Sequence, residues 1–278
     1  MTSYRDVFVY VMIDNYLKSC KHICLSQSGK MSDAEVVFVY LIACLDYGGN
    51  LEKSMQAMYG YGNITHLLSK SHYNRRLHAL ADRIEEIFAL LSQVSKAANQ
   101  SYAIDSFPLP LCHNIRIQRA RLVKQSCYRG RNASKRVYFY GYKVHLITAA
   151  DGSIVEFEFA PGAYEDKIGF TLLNFDLPAG SVLYADKAYN YYQREEELQQ
   201  DGQLDLQVIR KRNSKKEDNL PIFNWLKQTK RKHIETTISV LMNLFPRKIH
   251  AVTPKGFLLK IIGFIIAHNC NLLFAHTT

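Results

Sequence analysis

The chain has 278 residues, 47% of them hydrophobic and 22% charged, with a formal net charge of +10. That length and composition exclude a disordered or fibrous chain and leave room for two domains with real cores. The positive charge points to nucleic acid or an anionic surface as partner, and six cysteines without a paired C-x-x-C cluster argue against a zinc ribbon and for reduced thiols in a cytoplasm.

Near the N-terminus, the apolar run Phe8-Val-Tyr-Val-Met-Ile13 is broken by Asp14 and lacks a small-residue cleavage site, so no secretory leader is expected. From Tyr4 to about Ala98 the apolar spacing is helical. Val36, Val37, Tyr40, Leu41, Cys44 and Leu45 recur at three- and four-residue steps after the N-cap candidate Ser32-Asp33. Cys20-Lys-His-Ile-Cys24 reads as small hydrophobes on a helix before a metal clip. Breaks fall at Gly48-Gly49-Asn50 and at Tyr59-Gly-Tyr-Gly-Asn63. The next segment, Ser69 to Leu77, places Arg75 and Arg76 near a helix start, as in the reading helix of a helix-turn-helix unit or in a plain solvated face. Residues 1–98 are therefore expected to form a helical DNA-binding domain.

After Asn99, strands alternate with helices, and residues 99–278 are expected to form a second domain of α/β (α+β) class. Tyr102-Ala-Ile-Asp105 reads as a strand end, stopped by Pro108 and Pro110. Val137–Thr148 and Ile154–Ala160, joined at Ala150-Asp-Gly152, read as a hairpin, with Lys143 and His145 on one face. Helices are expected over 166–175, 191–200 and 221–245, and strands over 181–185 and 205–210. The apolar stretch from Phe257 to Phe274 contains Lys260, Gly263, His268, Asn269 and Asn271, so it reads as a buried helix and no membrane is expected.

No acidic residue lies between Asp105 and Asp151, while that interval carries Arg116, Arg119, Arg121, Lys124, Arg129, Arg131, Lys135, Arg136 and Lys143. Such segregation suits a polyanion, and guanidiniums in Tyr128-Arg-Gly-Arg-Asn132 suit bidentate phosphate contacts. A second basic group runs through Arg210-Lys-Arg212, Lys215-Lys216 and Lys227 to Lys232. Asp105 and Asp186 each end an apolar strand, and Glu235 flanks the apolar stripe Ile234, Ile238, Leu241 and Phe245 of a long helix. Together the three carboxylates suit Mg²⁺, and a two-ion site would activate the attacking oxygen and stabilise the leaving one. Singly, each also reads as structural: Asp105 as a turn residue, Asp186 as a helix cap, Arg231 and Glu235 as an i,i+4 pair. A two-carboxylate glycosidase is disfavoured by the cationic balance and the single tryptophan, Trp225.

The segments Ile104-Asp-Ser-Phe-Pro-Leu-Pro-Leu-Cys112, Tyr138-Phe-Tyr-Gly-Tyr-Lys-Val-His145, Tyr184-Ala-Asp-Lys-Ala-Tyr189 and Arg231-Lys-His-Ile-Glu-Thr236 resemble bacterial insertion-sequence transposases of the DDE class, most closely the insertion-sequence 982 group. The resemblance implies a ribonuclease-H-like mixed sheet flanked by helices, whose catalytic and metal-binding acids are Asp105, Asp186 and Glu235. It further implies Mg²⁺ or Mn²⁺, two ions, as cofactor. The partner would be double-stranded DNA, both inverted repeats and target, bound by a homo-oligomer in a bacterial cytoplasm at the nucleoid. DNA contacts are then expected from Arg75, Arg76, Arg129, Arg131, Lys135, Arg136, Lys143, His145, Lys187 and Arg231. The family's Arg-x-x-x-Glu element is present as Arg231 and Glu235. The Tyr before it and the Lys after it in some related groups are replaced by Gln228 and Met242. Two rivals stand beside a transposase that cuts element ends and joins the 3′-hydroxyl to target DNA: a nuclease without strand transfer, and a non-catalytic or decayed DNA-binding protein.

Overall fold

A computed structural model describes residues 3–20, 30–112, 114–132, 136–201, 203–210 and 221–277. In chain order, α1 (Tyr4–Ser19), α2 (Asp33–Asp46), α3 (Leu51–Gly60), α4 (Lys70–Ala79) and α5 (Ala81–Ala98) lead into β1 (Ser101–Cys112), β2 (Arg129–Asn132), β3 (Val137–Ala149) and β4 (Ile154–Pro161). Then follow α6 (Asp166–Leu172), β5 (Val182–Ala185), α7 (Tyr192–Asp201), β6 (Asp205–Val208), α8 (Pro221–Leu244) and α9 (Pro254–Thr277). Two compact units result: Met1–Leu91 with Val240–Thr278, and Ser92–Ser239. The apolar C-terminal helix buries its surface among the N-terminal helices, so residues 240–278 group with that unit.

In the helical unit, short polar residues start the helices. The side chains of Ser3, Ser32, Asn50 and Ser69 accept from the backbone N–H groups of Asp6, Glu35, Lys53 and His72, and Asp6 and Glu35 reciprocate as capping boxes. Helix α2 is buried nearly all round, from Ala34 to Cys44, and α9 lies against it. The Tyr40 hydroxyl donates to the Leu259 carbonyl at the point where α9 carries Gly263. A Cβ there would stand 2.3 Å from the Tyr40 hydroxyl, which explains a glycine inside an apolar helix. Helix α9 is long and apolar enough to cross a membrane, yet 67% of its most apolar window is buried inside the protein, as a core helix requires.

The other unit is built on a mixed sheet. Strand β1 pairs antiparallel with β3 and parallel with β5, and β5 pairs parallel with β6. The second edge of β3 takes β4 over Tyr142–Thr148 and β2 over Val137–Tyr140, end to end. The β3–β4 turn is the Asp-Gly hairpin read from sequence: Gly152 has φ 89° and the Asp151 carboxylate accepts from the Ser153 N–H at 2.8 Å. Strand β1 does not stop before the prolines but continues through Pro108 and Pro110 to Cys112. Pairing with β5 ends at Ile104, so beyond it that edge of β1 is free. Two prolines spaced by two direct their missing N–H groups to that same edge, and the β3 register runs on through Pro110 before shifting ahead of Cys112.

Strand alternation sorts the two faces. Tyr102, Ile104, Ile147, Leu183 and Ala185 share a core with Phe170 and Leu173 of α6 and Leu198 of α7. The opposite face, which carries Ala103 and Asp105, receives α8, whose Arg231 bonds Asp105 and whose Thr237 hydroxyl donates to the Gly152 carbonyl.

Candidate active site

Ile104 of β1 stands opposite Ala185 of β5 in the parallel ladder. Asp105 is the next residue of β1, and Asp186 is the first residue after β5. Asp186 keeps extended backbone, with φ −74° and ψ 164°, so alternation puts both carboxylates on the α8 face, where β5 ends beside β1. The register that buries Ile104 and Ala185 is what brings the two acids together.

Arg231 closes this site from α8. Its Nη2 donates to Asp105 Oδ2 at 2.5 Å, and its Nη1 lies 3.6 Å from Glu235 Oε1 one helical turn on. Asp105 Oδ1 accepts from the Ser106 N–H at 2.8 Å. Burial pushes the Asp105 carboxyl above the ordinary carboxylate range. The Arg231 guanidinium and the Ser106 N–H pull it back, and the charge of Asp186 pushes it further up. Burial also works against the charge on Arg231, but Asp105, Asp186 and Glu235 outweigh it and hold the guanidinium charged. Three carboxylates therefore share one cation. The side chains of Asp105 and Arg231 are 21% and 14% exposed, whereas that of Glu235 is 63% exposed.

Behind the strand end, on the α6 face, lies a polar cluster that sequence reasoning missed. The Ser106 hydroxyl donates to Asp166 Oδ1 at 2.6 Å, and Lys143 Nζ sits 3.3 Å from the same oxygen while donating to the Tyr164 carbonyl at 2.8 Å. His145 Nδ1 is 3.3 Å from the Tyr189 hydroxyl. Lys143 and His145 do share a face, as period two requires, but that face is covered. His145 is fully buried, and burial lowers its pKa to about 4, with Asp166 opposing and Lys143 reinforcing the shift. His145, expected as a phosphate contact, is thus a neutral core imidazole at pH 7. Lys143 is half-buried and serves Asp166. The signal for this cluster was Ile147, two residues beyond His145 in the same strand and plainly a core residue.

The other expected contacts divide by exposure. Arg76 is buried, its guanidinium bonded to Asp33 and to the Met31 carbonyl at 2.7 Å, and so braces the helical unit. Arg75 is exposed on α4. On β2, Arg129 and Arg131 point outward, and Arg131 stacks 5.7 Å from the Tyr138 ring centroid. Between them Gly130 faces inward, where a Cβ would stand 2.3 Å from the Gly162 carbonyl oxygen. Arg136 and Lys187 are exposed. Lys135, Arg212, Lys215 and Lys216 lie outside the described residues, as does Cys24.

As donors, Asp105 and Asp186 fit a hard divalent cation: both offer carboxylate oxygens, and their mutual repulsion is relieved by positive charge. Among the described residues no three His, Cys, Asp or Glu side chains converge as a cation site, because Arg231 takes the central position and Glu235 turns outward.

The strand order β4-β3-β1-β5-β6, antiparallel on one side of β1 and parallel on the other, with one acid within β1 and one just after β5, defines a protein of ribonuclease-H-like fold. The chain belongs to the transposase DDE domain family, whose model matches residues 95–250. No curated protein matches it. Among solved structures it is similar to a chain of the piggyBac transposase synaptic complex with hairpin DNA, at 9% identity and a TM-score of 0.48. That match covers 99% of this chain and 66% of the other.

Proposed function

We propose that the protein is a DNA transposase of the insertion-sequence type, of the insertion-sequence 982 group, that cleaves the ends of its element and joins the 3′-hydroxyl to target DNA. The observation that carries this reading is the pair of strand-end carboxylates, Asp105 and Asp186, facing one guanidinium in a chain of the DDE family. Asp105 and Asp186 would hold one or two Mg²⁺ or Mn²⁺ ions, with Glu235 joining by rotation of its exposed side chain. Bound there, the metal supplies Lewis-acid activation of water and of the leaving oxygen.

The chain's own residues do the positioning. Ser106 fixes one Asp105 oxygen through its N–H. Arg231 lowers the cost of gathering carboxylates before substrate arrives and then offers a guanidinium to the scissile phosphate. Arg129 and Arg131 on β2 and Arg136 ahead of β3 supply phosphate contacts away from the carboxylates, Lys187 one next to Asp186, and Arg75 one on the helical unit. Double-stranded DNA is the partner, engaged by more than one copy of the chain in the bacterial cytoplasm.

The test is Mg²⁺-dependent cleavage and joining of DNA carrying the gene's own flanking ends, with wild type and Asp186→Asn. Cleavage with joining, lost in the variant, is expected. Cleavage without joining would reduce the reading to a nuclease. Equal DNA binding by both proteins with no cleavage would replace it with a non-catalytic DNA-binding protein.

A further inference from the structure

Within the helical unit a cavity of about 800 Å³ opens between the α2–α3 turn, the start of α4, the segment 246–250 and α9. Its size falls inside the ~300–1,000 Å³ of sites for small organic ligands. Lys70, Arg247, Lys248, His250 and Lys260 line it against a single acid, Glu52. Among the described residues, Lys70, Arg247 and Lys248 form no ion pair, and the Lys260 ammonium donates to the His250 carbonyl rather than to a carboxylate. Elsewhere in this chain partly buried cations meet acids, as Arg76 meets Asp33 and Arg210 meets Glu195. Here, among the described residues, cations line one cavity with Glu52 as its single acid and pair with none.

Burial lowers the pKa of Lys260, and the neighbouring Lys70 lowers it further while Cys44 opposes. Folding therefore holds like charges together at a cost that an anion would remove. Tyr47, Leu51, Met55 and Phe264 give the wall an apolar, partly aromatic part, beside the polar Asn50, Gln56, Ser69 and Asn74. A Cβ on Gly49 would press to 3.0 Å from the Phe264 ring, so the absence of a side chain there lets the α2–α3 turn lie against that ring.

We propose that this cavity binds a nucleoside phosphate, its phosphate among Lys70, Lys248 and Lys260 and its base against the apolar wall. Fixed cations suit the phosphate, and flat apolar side chains suit a base without selecting one. Two sources share this chemistry: a free nucleotide, or the terminal nucleotide of a DNA strand. The site is separate from the strand-end carboxylates, so neither metal nor cleavage enters the proposal.

Calorimetry on the full chain in EDTA tests it, comparing dAMP with deoxyadenosine, and a short single strand with and without a 5′-phosphate. Each is measured on wild type and on Lys70→Glu/Lys248→Glu, whose side chains are exposed and whose fold is checked by circular dichroism. A phosphate preference of about tenfold or more, lost in the double variant, is the expected result. Seen with dAMP, it assigns a free nucleotide; seen only with the oligonucleotide, it assigns a strand end. Equal binding with and without phosphate in both pairs, or a preference that survives in the double variant, overturns the proposal.

Discussion

Arg231 of α8 and Asp105 within β1 are joined by a 2.5 Å hydrogen bond across 126 residues of sequence. This contact fixes α8 over the strand ends and neutralises a carboxylate that already has Asp186 beside it. Removing one partner of such a pair leaves a partly buried charge unmatched. Arg231→Ala is expected to lose about 3 kcal/mol in urea unfolding. Mg²⁺ should then raise the Tm of the variant more than that of wild type, since the Asp105–Asp186 repulsion is left for the ion to relieve. An unchanged midpoint and an equal Mg²⁺ shift would remove Arg231 from its role as countercharge.

Asp105 also sets a pH dependence. Its folded pKa is raised above the unfolded value, so the fold favours the protonated acid, and the stability this lends is full below the unfolded pKa and lost as pH rises through the folded one. In Asp105→Asn the partly buried Arg231 guanidinium loses this partner, so the signature of Asp105 is a slope: wild-type stability is expected to fall as pH rises through the folded pKa, and the variant to lack that fall. Thermal melts of both proteins from pH 3 to 8 check the sign; parallel pH profiles for the two proteins contradict it.

His145 carries the opposite sign. Its pKa falls from 6.5 to about 4 in the fold, so the neutral ring contributes stability that is present above 6.5 and lost as pH falls toward 4. That difference corresponds to about 3 kcal/mol over the interval. His145→Gln is expected to flatten this part of the stability-against-pH curve while leaving the part set by carboxylates in place. Denaturant midpoints at pH 7, 5.5 and 4.5 measure it, and parallel curves for the two proteins would place the titration elsewhere.

Much of the fold and part of the site were legible in the sequence. Apolar runs before Asp105 and Asp186 announced strands, and Asp151-Gly152 announced the hairpin, because burial and turn chemistry are local. Less visible was anything that depends on phase or on distant partners. Tyr73, Arg76, Leu77 and Leu80 share one buried stripe, so helical phase separates Arg76 from Arg75, but its acid Asp33 lies on another helix. Pro108 and Pro110 looked like a stop because nothing local says that β5 leaves that edge free. The return of α9 to the N-terminal helices is a long-range contact with no sequence period to reveal it.

Arg75 and Arg76 make that distinction testable. The side chains of Arg76 and Asp33 are 8% and 2% exposed, so Arg76→Ala is expected to cost about 3–5 kcal/mol and to loosen the helical unit. Arg75→Ala should leave the melting curve within about 0.5 kcal/mol of wild type and weaken DNA binding instead. Circular dichroism and binding to a labelled duplex at two salt concentrations separate the two effects. A stable Arg76→Ala protein with weakened DNA binding would restore the reading of Arg76 as a contact.

Gly169 of α6 tests how the sheet and helix meet behind the carboxylates. A Cβ there would lie 2.0 Å from His145 Nε2 and 2.2 Å from Cε1, inside any allowed contact. The ring has little freedom to yield, since it is fully buried and its Nδ1 faces the Tyr189 hydroxyl at 3.3 Å. Gly169→Ala must therefore push α6 away from β3, which is expected to cost about 1–3 kcal/mol despite the higher helix propensity of alanine. Trimming the ring removes the obstacle. The double variant Gly169→Ala/His145→Ala should consequently be less destabilised than the sum of the single variants, with a coupling of about 1 kcal/mol or more. Since α6 also carries Asp166, which accepts from Ser106 next to Asp105, Gly169→Ala should slow any Mg²⁺-dependent cleavage beyond its effect on folding. Strictly additive unfolding energies would show that α6 and His145 do not bear on each other.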